Sequence, residues 1–106
     1  MELNILVLGR EEAILEVVER LINSHEGWRA TVVTTEEQAF EALDEMEYRI
    51  VFVAAGVTAA EEEGLRRKIR ERYPSLSIPV TRHFGGGSGL LENEILSILN
   101  NSNYGK

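Results

Sequence analysis

Three segments of the sequence hold residues that can bind an anion. Arg10 follows an apolar run at Leu3–Leu8, and Arg82 and His83 lie near the end of a later apolar run. The segment Gly85–Gly89 precedes a helical pattern, so its amides lie at a helix N-terminus, where the partial positive charge favours anions. Together these groups predict a site for a phosphate or a carboxylate. Its candidate residues are Arg10, Arg82, His83, Gly86, Gly87 and Ser88.

A simpler interpretation of the same residues stays open. The glycines then only bridge a shortened segment, and Arg10 pairs with its neighbours Glu11 or Glu12. The run Gly85–Gly89 matches neither a P-loop nor a dinucleotide-binding fingerprint, because both need other spacings. His83 has no identifiable acid or hydroxyl partner, which a general base needs. We therefore expect no enzymatic activity.

Metal ions and cofactors are not expected either. The acidic runs Glu11–Glu12 and Glu61–Glu63 fall in the first turns of predicted helices, where negative charge is stabilising. This position explains them without a metal. The chain contains no cysteine, which excludes disulfides and thiolate sites. The prediction is a protein without a cofactor and without a metal ion.

Length and charge limit the class of protein. The 106 residues suit a single domain over residues 1–106, with a polar tail at about 101–106. The net charge of −7 opposes binding to nucleic acid and to anionic membranes. No apolar run is long enough to span a bilayer, and no secretory signal is recognisable. We therefore expect a cytoplasmic protein.

Apolar runs and amphipathic patterns alternate four times along the chain. The predicted strands are Leu3–Leu8, Trp28–Val33, Ile50–Val53 and a last one from Leu76 to about Phe84. Near-continuous apolar runs are typical of parallel strands buried on both faces. Four βα units with short connections predict a flavodoxin-like, three-layer α/β/α fold. The expected parallel sheet has about four strands in the order 2-1-3-4.

Residue spacing predicts the inner face and the ends of each helix. The expected inner residues are Ile14, Val17, Val18, Leu21 and Ile22 in the first helix, Ala39, Leu43 and Met46 in the second, and Leu91, Ile95, Ile98 and Leu99 in the last. Capping boxes are predicted from Thr35 to Gln38 and from Thr58 to Glu61. Gly27 stands where a C-terminal cap of the first helix is expected.

Three stretches of the chain share a hydrophobic pattern and element lengths with a known family. They are NILVLGREEAILEVVERLI from Asn4, RIVFVAAG from Arg49 and GLRRKIRERYPSLSIPV from Gly64. In these stretches the sequence resembles the receiver domain of bacterial two-component response regulators. The resemblance covers most of Leu3 to Val80. It implies a role in two-component signalling.

The resemblance also shows which functional residues are missing. Receiver domains accept a phosphoryl group on an aspartate at the end of strand 3, and two acids after strand 1 hold Mg²⁺. Here the acid pair falls on Gly9 and Arg10, and the phosphoacceptor position falls on Ala54. The family's hydroxyl residue falls near Phe84, and its strand-5 lysine has no counterpart. The resemblance implies a degenerate receiver that is not phosphorylated, with one βα unit fewer than a full receiver.

The fourth predicted strand is the element best suited to meet a partner. Pro79 lacks an amide donor, and Arg82 and His83 make the strand polar, as expected at a sheet edge. Without a fifth strand, this edge offers backbone groups to another chain. We expect a protein partner or a homodimer at this edge or on the last helix. The alternative function is a small-anion or nucleotide-binding domain that uses the loops after strands 1, 3 and 4.

Overall fold

The described residues form four parallel strands in the computed structural model, which describes residues 3–75, 78–82 and 93–98. The strands are β1 (Leu3–Leu8), β2 (Trp28–Val33), β3 (Ile50–Val53) and β4 (Val80–Arg82). Their order in the sheet is β2-β1-β3-β4, and every pair is parallel. The predicted flavodoxin-like fold and strand order are confirmed.

Helices cover both faces of this sheet. They are α1 (Glu12–Asn23), α2 (Glu36–Glu45), α3 (Ala59–Arg72) and a helical segment at 93–98, here called α4. Ile5 and Val7 of β1 pack with α1 and with Ile95 of α4, whereas Leu6 and Leu8 pack with α2 and α3. This alternation follows from the period of two in a strand, which sends successive side chains to opposite faces. No helix within the described residues is long and apolar enough to cross a membrane.

Two residues predicted to face inward are exposed instead. Val17 is 49% exposed, because the buried stripe of α1 runs through Leu15, Val18 and Ile22. Leu15, which the spacing argument omitted, is 4% exposed and belongs to this stripe. Met46 is 43% exposed, because α2 ends at Glu45 and the backbone of Met46 is extended. Helical spacing therefore no longer applies to it.

The fourth strand begins later than the sequence predicts. It begins at Val80, although the Pro79 carbonyl already accepts a hydrogen bond from the Val51 amide at 3.0 Å. The remaining predicted strand residues 76–77 and 83–84, the segment Gly85–Gly89, and Leu91 and Leu99 lie outside the described residues. In α4, Ile95 is fully buried and Ile98 is partly buried, as predicted.

The predicted helix ends are confirmed in part. At α3 both bonds of the Thr58–Glu61 capping box are present. At α2 the Thr35 hydroxyl accepts from the Gln38 amide, but the Gln38 side chain accepts from the Thr34 amide, one residue earlier than predicted. The C-terminal cap of the first helix is Ser24 and not Gly27, which has a φ of 85° and lies in the turn before β2. The caps of α2 and α3 fix where the loops after β2 and β3 enter their helices.

Candidate functional site

The loops after β1 and β3 meet at the carboxyl edge of the sheet. The Arg10 amide donates to the Ala55 carbonyl at 3.1 Å, and the Ala54 amide donates to the Leu8 carbonyl at 2.8 Å. The Gly9 amide reaches the Val33 carbonyl at the end of β2, at 3.1 Å. In open α/β sheets, ligands bind at this edge, where the strand order reverses. The structure therefore brings the loops after β1 and β3 together at the place where such ligands bind.

Gly9 and Ala54 leave little space between them. A Cβ atom at Gly9 would lie 2.9 Å from Leu15 Cδ2 and 3.1 Å from the Cβ of Ala54. Ala54 is 1% exposed and belongs to the apolar cluster that includes Leu15 and Phe52. A methyl group enclosed in this way offers neither a nucleophile nor a metal ligand. This part of the edge is packed as core.

The Arg10 side chain lies across the same edge and makes two contacts. One terminal nitrogen donates to the Thr34 carbonyl after β2, and the other donates to Glu61 Oε2 on α3 at 2.5 Å. The prediction that Arg10 pairs with Glu11 or Glu12 is wrong in the structure. Its partner lies 51 residues later in the chain, where only the fold brings it close.

The Glu61 carboxylate is also held in place by a contact that does not involve Arg10. Its Oε1 atom accepts from the Thr58 amide at 3.0 Å, which is half of the capping box of α3. The hydrogen bond from the Thr58 backbone, followed by that from Arg10, lowers the pKa of Glu61 below its ordinary value. The side chain is therefore an anion at neutral pH and a fixed partner for a cation.

Arg82 makes a comparable contact at the end of β4. Its Nε donates to Glu62 Oε1 at 2.7 Å, and a terminal nitrogen donates to the Val57 carbonyl at 2.7 Å. Glu62 also accepts from Arg66 at 2.9 Å. Partial burial raises the pKa of Glu62, but the hydrogen bonds from Arg66 and Arg82 outweigh it, and the pKa lies below its ordinary value. Arg82 is thus bound to α3, as Arg10 is.

The predicted anion site stays a prediction. Its two arginines are both at the carboxyl edge, and each already contacts a carboxylate, Glu61 or Glu62. The other four candidates, His83, Gly86, Gly87 and Ser88, lie outside the described residues. Sequence reasoning treated the two glutamates only as helix-end charges. The Thr58–Glu61 capping box could have placed them at this edge, because α3 begins directly after β3.

A search of the solved structures finds a receiver domain. The structure is similar to the crystal structure of a signal receiver domain of an HD domain-containing protein from Pseudomonas fluorescens Pf-5, with a TM-score of 0.78. The alignment covers 97% of this chain and 90% of that chain, at 16% sequence identity. This chain has the receiver-domain fold. No protein-family model and no curated protein sequence matches it.

The structure brings three positions from the sequence resemblance together at the carboxyl edge. Gly9, Arg10 and Ala54 lie where the sequence resemblance placed the two metal-binding acids and the phosphoacceptor. A fold supports many functions, so the residues at the site decide between them. Among the described residues no group of three or more histidine, aspartate or glutamate side chains is arranged to hold a metal ion.

Gly56 is the residue that makes room for Arg10, and its replacement tests the geometry. Its φ is +92°, and an added Cβ would lie 2.5 Å from the Cβ of Arg10. We expect Gly56→Ala to lower the free energy of unfolding by more than about 1 kcal/mol, from backbone strain and from this clash. Urea denaturation followed by circular dichroism measures the change.

Gly64→Ala is the matched control for this prediction. Gly64 lies inside α3, and an added Cβ would meet no atom within 4 Å. The same substitution there should raise the free energy of unfolding by about 0.5–1 kcal/mol, because alanine favours the helix. A Gly56→Ala protein as stable as the wild type would contradict the described packing of Arg10 against this loop.

Proposed function

We propose that this chain is a receiver-like signalling module that accepts no phosphoryl group and acts by binding a protein. The observation that carries the proposal is the composition of the carboxyl edge: an enclosed alanine at position 54 and an arginine at position 10. The proposal assigns no enzymatic activity to the chain.

Phosphoryl transfer to this edge lacks two requirements. The reaction needs a nucleophile, and Ala54 has only a methyl group. It also needs a metal ion to neutralise charge on the transferred group. Arg10 places a positive charge where that metal ion would lie, so it repels Mg²⁺, and the nearby Glu61 is already bound to this arginine.

Treatment with a small phosphodonor tests the first part of the proposal. When the chain is incubated with acetyl phosphate or phosphoramidate and Mg²⁺, we expect that its mass does not increase by the mass of a phosphoryl group. The physical reason is that Ala54 has no nucleophile, and that Gly9 and Arg10 stand at the positions that the resemblance assigns to the metal-binding acids. Intact-protein mass spectrometry measures the result, and a phosphorylatable receiver domain treated in parallel shows that the donor is active.

A matched variant makes the phosphodonor experiment sharper. An acyl phosphate on the wild-type chain, that is, a phosphoryl group on a carboxylate, would contradict the proposal. If one formed, the double variant Glu61→Gln and Glu62→Gln would show whether these carboxylates on α3 had accepted it. Both side chains keep their size in the variant, so the capping box retains its shape.

For the protein-binding part, the features that support the proposal lie on β4 and α4. The carbonyl of Val80 points away from β3 and accepts a hydrogen bond from Arg66 at 2.8 Å. An edge strand offers its outward backbone groups to another chain, and in the proposal a partner takes the place of Arg66 at this carbonyl. On α4, Leu96 is 42% exposed beside the buried Ile95. We propose that the partner contacts this edge and this helix.

Self-association is the version of this proposal that is simplest to measure. We expect the average mass from light scattering to rise with protein concentration, and Leu96→Glu to suppress the rise by placing a charge in the contact. Val17→Glu is the matched control, because Val17 is a similarly exposed apolar residue on α1. A strict monomer at every concentration would exclude the homodimer and leave a different protein as the partner.

A further inference from the structure

Arg10 connects the loops that follow β1, β2 and β3 at this edge. Its amide binds the Ala55 carbonyl after β3, and its guanidinium binds the Thr34 carbonyl after β2 and the Glu61 carboxylate on α3. A guanidinium group can do this because its donors lie in one plane and point in fixed directions. A single residue therefore links the β2–α2 loop to the first turn of α3.

The surrounding chain is shaped to receive this side chain. Gly56 has no Cβ where the Arg10 side chain passes, and its φ of +92° suits glycine. The acceptor Glu61 is oriented by its bond to the Thr58 amide, and the β2–α2 loop is held by the bond from the Thr34 amide to Gln38 Oε1 at 2.9 Å. Both acceptors of the guanidinium are thus fixed by their own contacts, so they lose little further freedom when Arg10 binds them.

We propose that Arg10 is an internal cationic latch that couples the β2–α2 loop to the N-terminal turn of α3. A change of the Glu61 side chain then alters the hydrogen bonding at Thr34 through the guanidinium, although Glu61 lies in α3 and Thr34 lies in the β2–α2 loop. The latch is a property of the folded chain and does not depend on the proposed signalling function. The positive charge that joins the loops at the carboxyl edge is therefore supplied by a side chain of the protein itself.

Amide hydrogen exchange in a double-mutant cycle tests the latch. The proteins are the wild type, Glu61→Gln, Arg10→Ala and the double variant, and the reporting amides are those of Thr34 and Thr58. Glutamine at position 61 keeps the shape of the capping box and removes the charge that Arg10 binds. We expect Glu61→Gln to speed exchange at Thr34 by about two- to fivefold, as befits an ion pair near the surface.

The coupling itself is the decisive readout. In the Arg10→Ala background, Glu61→Gln should no longer change exchange at Thr34, because the connection between the two loops has been removed. Arg10→Lys keeps the charge but offers a point charge in place of a planar fork, so it should lose most of the coupling. If Arg10 and Glu61 contributed only to overall stability, each substitution would instead change the exchange rates of both amides equally in every background.

Arg20→Ala is the matched control. Arg20 is an exposed cation in the last turn of α1, away from the carboxyl edge. Its removal should leave exchange at Thr34 and Thr58 unchanged. The proposal is overturned if Glu61→Gln alters Thr34 equally with and without Arg10, if neither single variant alters Thr34, or if Arg20→Ala has the same effect as Arg10→Ala.

Discussion

The contact between Arg10 and Glu61 is the constraint on which the carboxyl edge of the sheet depends. It requires a glycine at position 56, because any Cβ there would strike the arginine side chain. It also requires α3 to begin where it does, since the capping box holds Glu61 in position. The conformations of the loop after β1, the loop after β3 and the first turn of α3 therefore depend on one another.

The charges at this edge are arranged in the opposite sense to those that phosphoryl transfer needs. Cations come from the ends of β1 and β4, as Arg10 and Arg82, and their carboxylate partners come from α3, as Glu61 and Glu62. In the phosphorylatable family that the sequence resembles, the acids follow the strands and hold a metal ion. Here the positive charge belongs to the chain, and we therefore expect this edge to repel an added metal ion.

The sequence predicts the layers of the fold well because burial leaves a local pattern. The runs Leu3–Leu8 and Ile50–Val53 are apolar at nearly every position, and both form inner strands of the described sheet. Amphipathic spacing was less reliable where a helix ended early, as at Met46, or where its buried stripe was displaced, as at Val17. The spacing of apolar residues indicates an apolar side of the helix, but contact with the sheet determines which residues of that side are buried.

The candidate site was harder to predict because its contacts are distant in sequence. Arg10 was recognised as a cation that follows the first strand, but nothing near it in the chain indicates Glu61, 51 residues away. The same holds for Arg82 and Glu62, which are joined by the pairing of β3 with β4 and the position of α3. Glu61 and Glu62 pair with the two arginines only because the fold brings the first turn of α3 close to the ends of β1 and β4.

The central claim is that the cation at this edge is Arg10 and that no metal ion takes its place. An amide NMR titration with Mg²⁺ followed by beryllofluoride, a mimic of a bound phosphoryl group, tests it most directly. We expect the resonances of Gly9, Arg10, Ala54 and Ala55 to stay unchanged. Saturable shifts of these resonances with Mg²⁺ would show a metal ion bound at the edge and would contradict the claim.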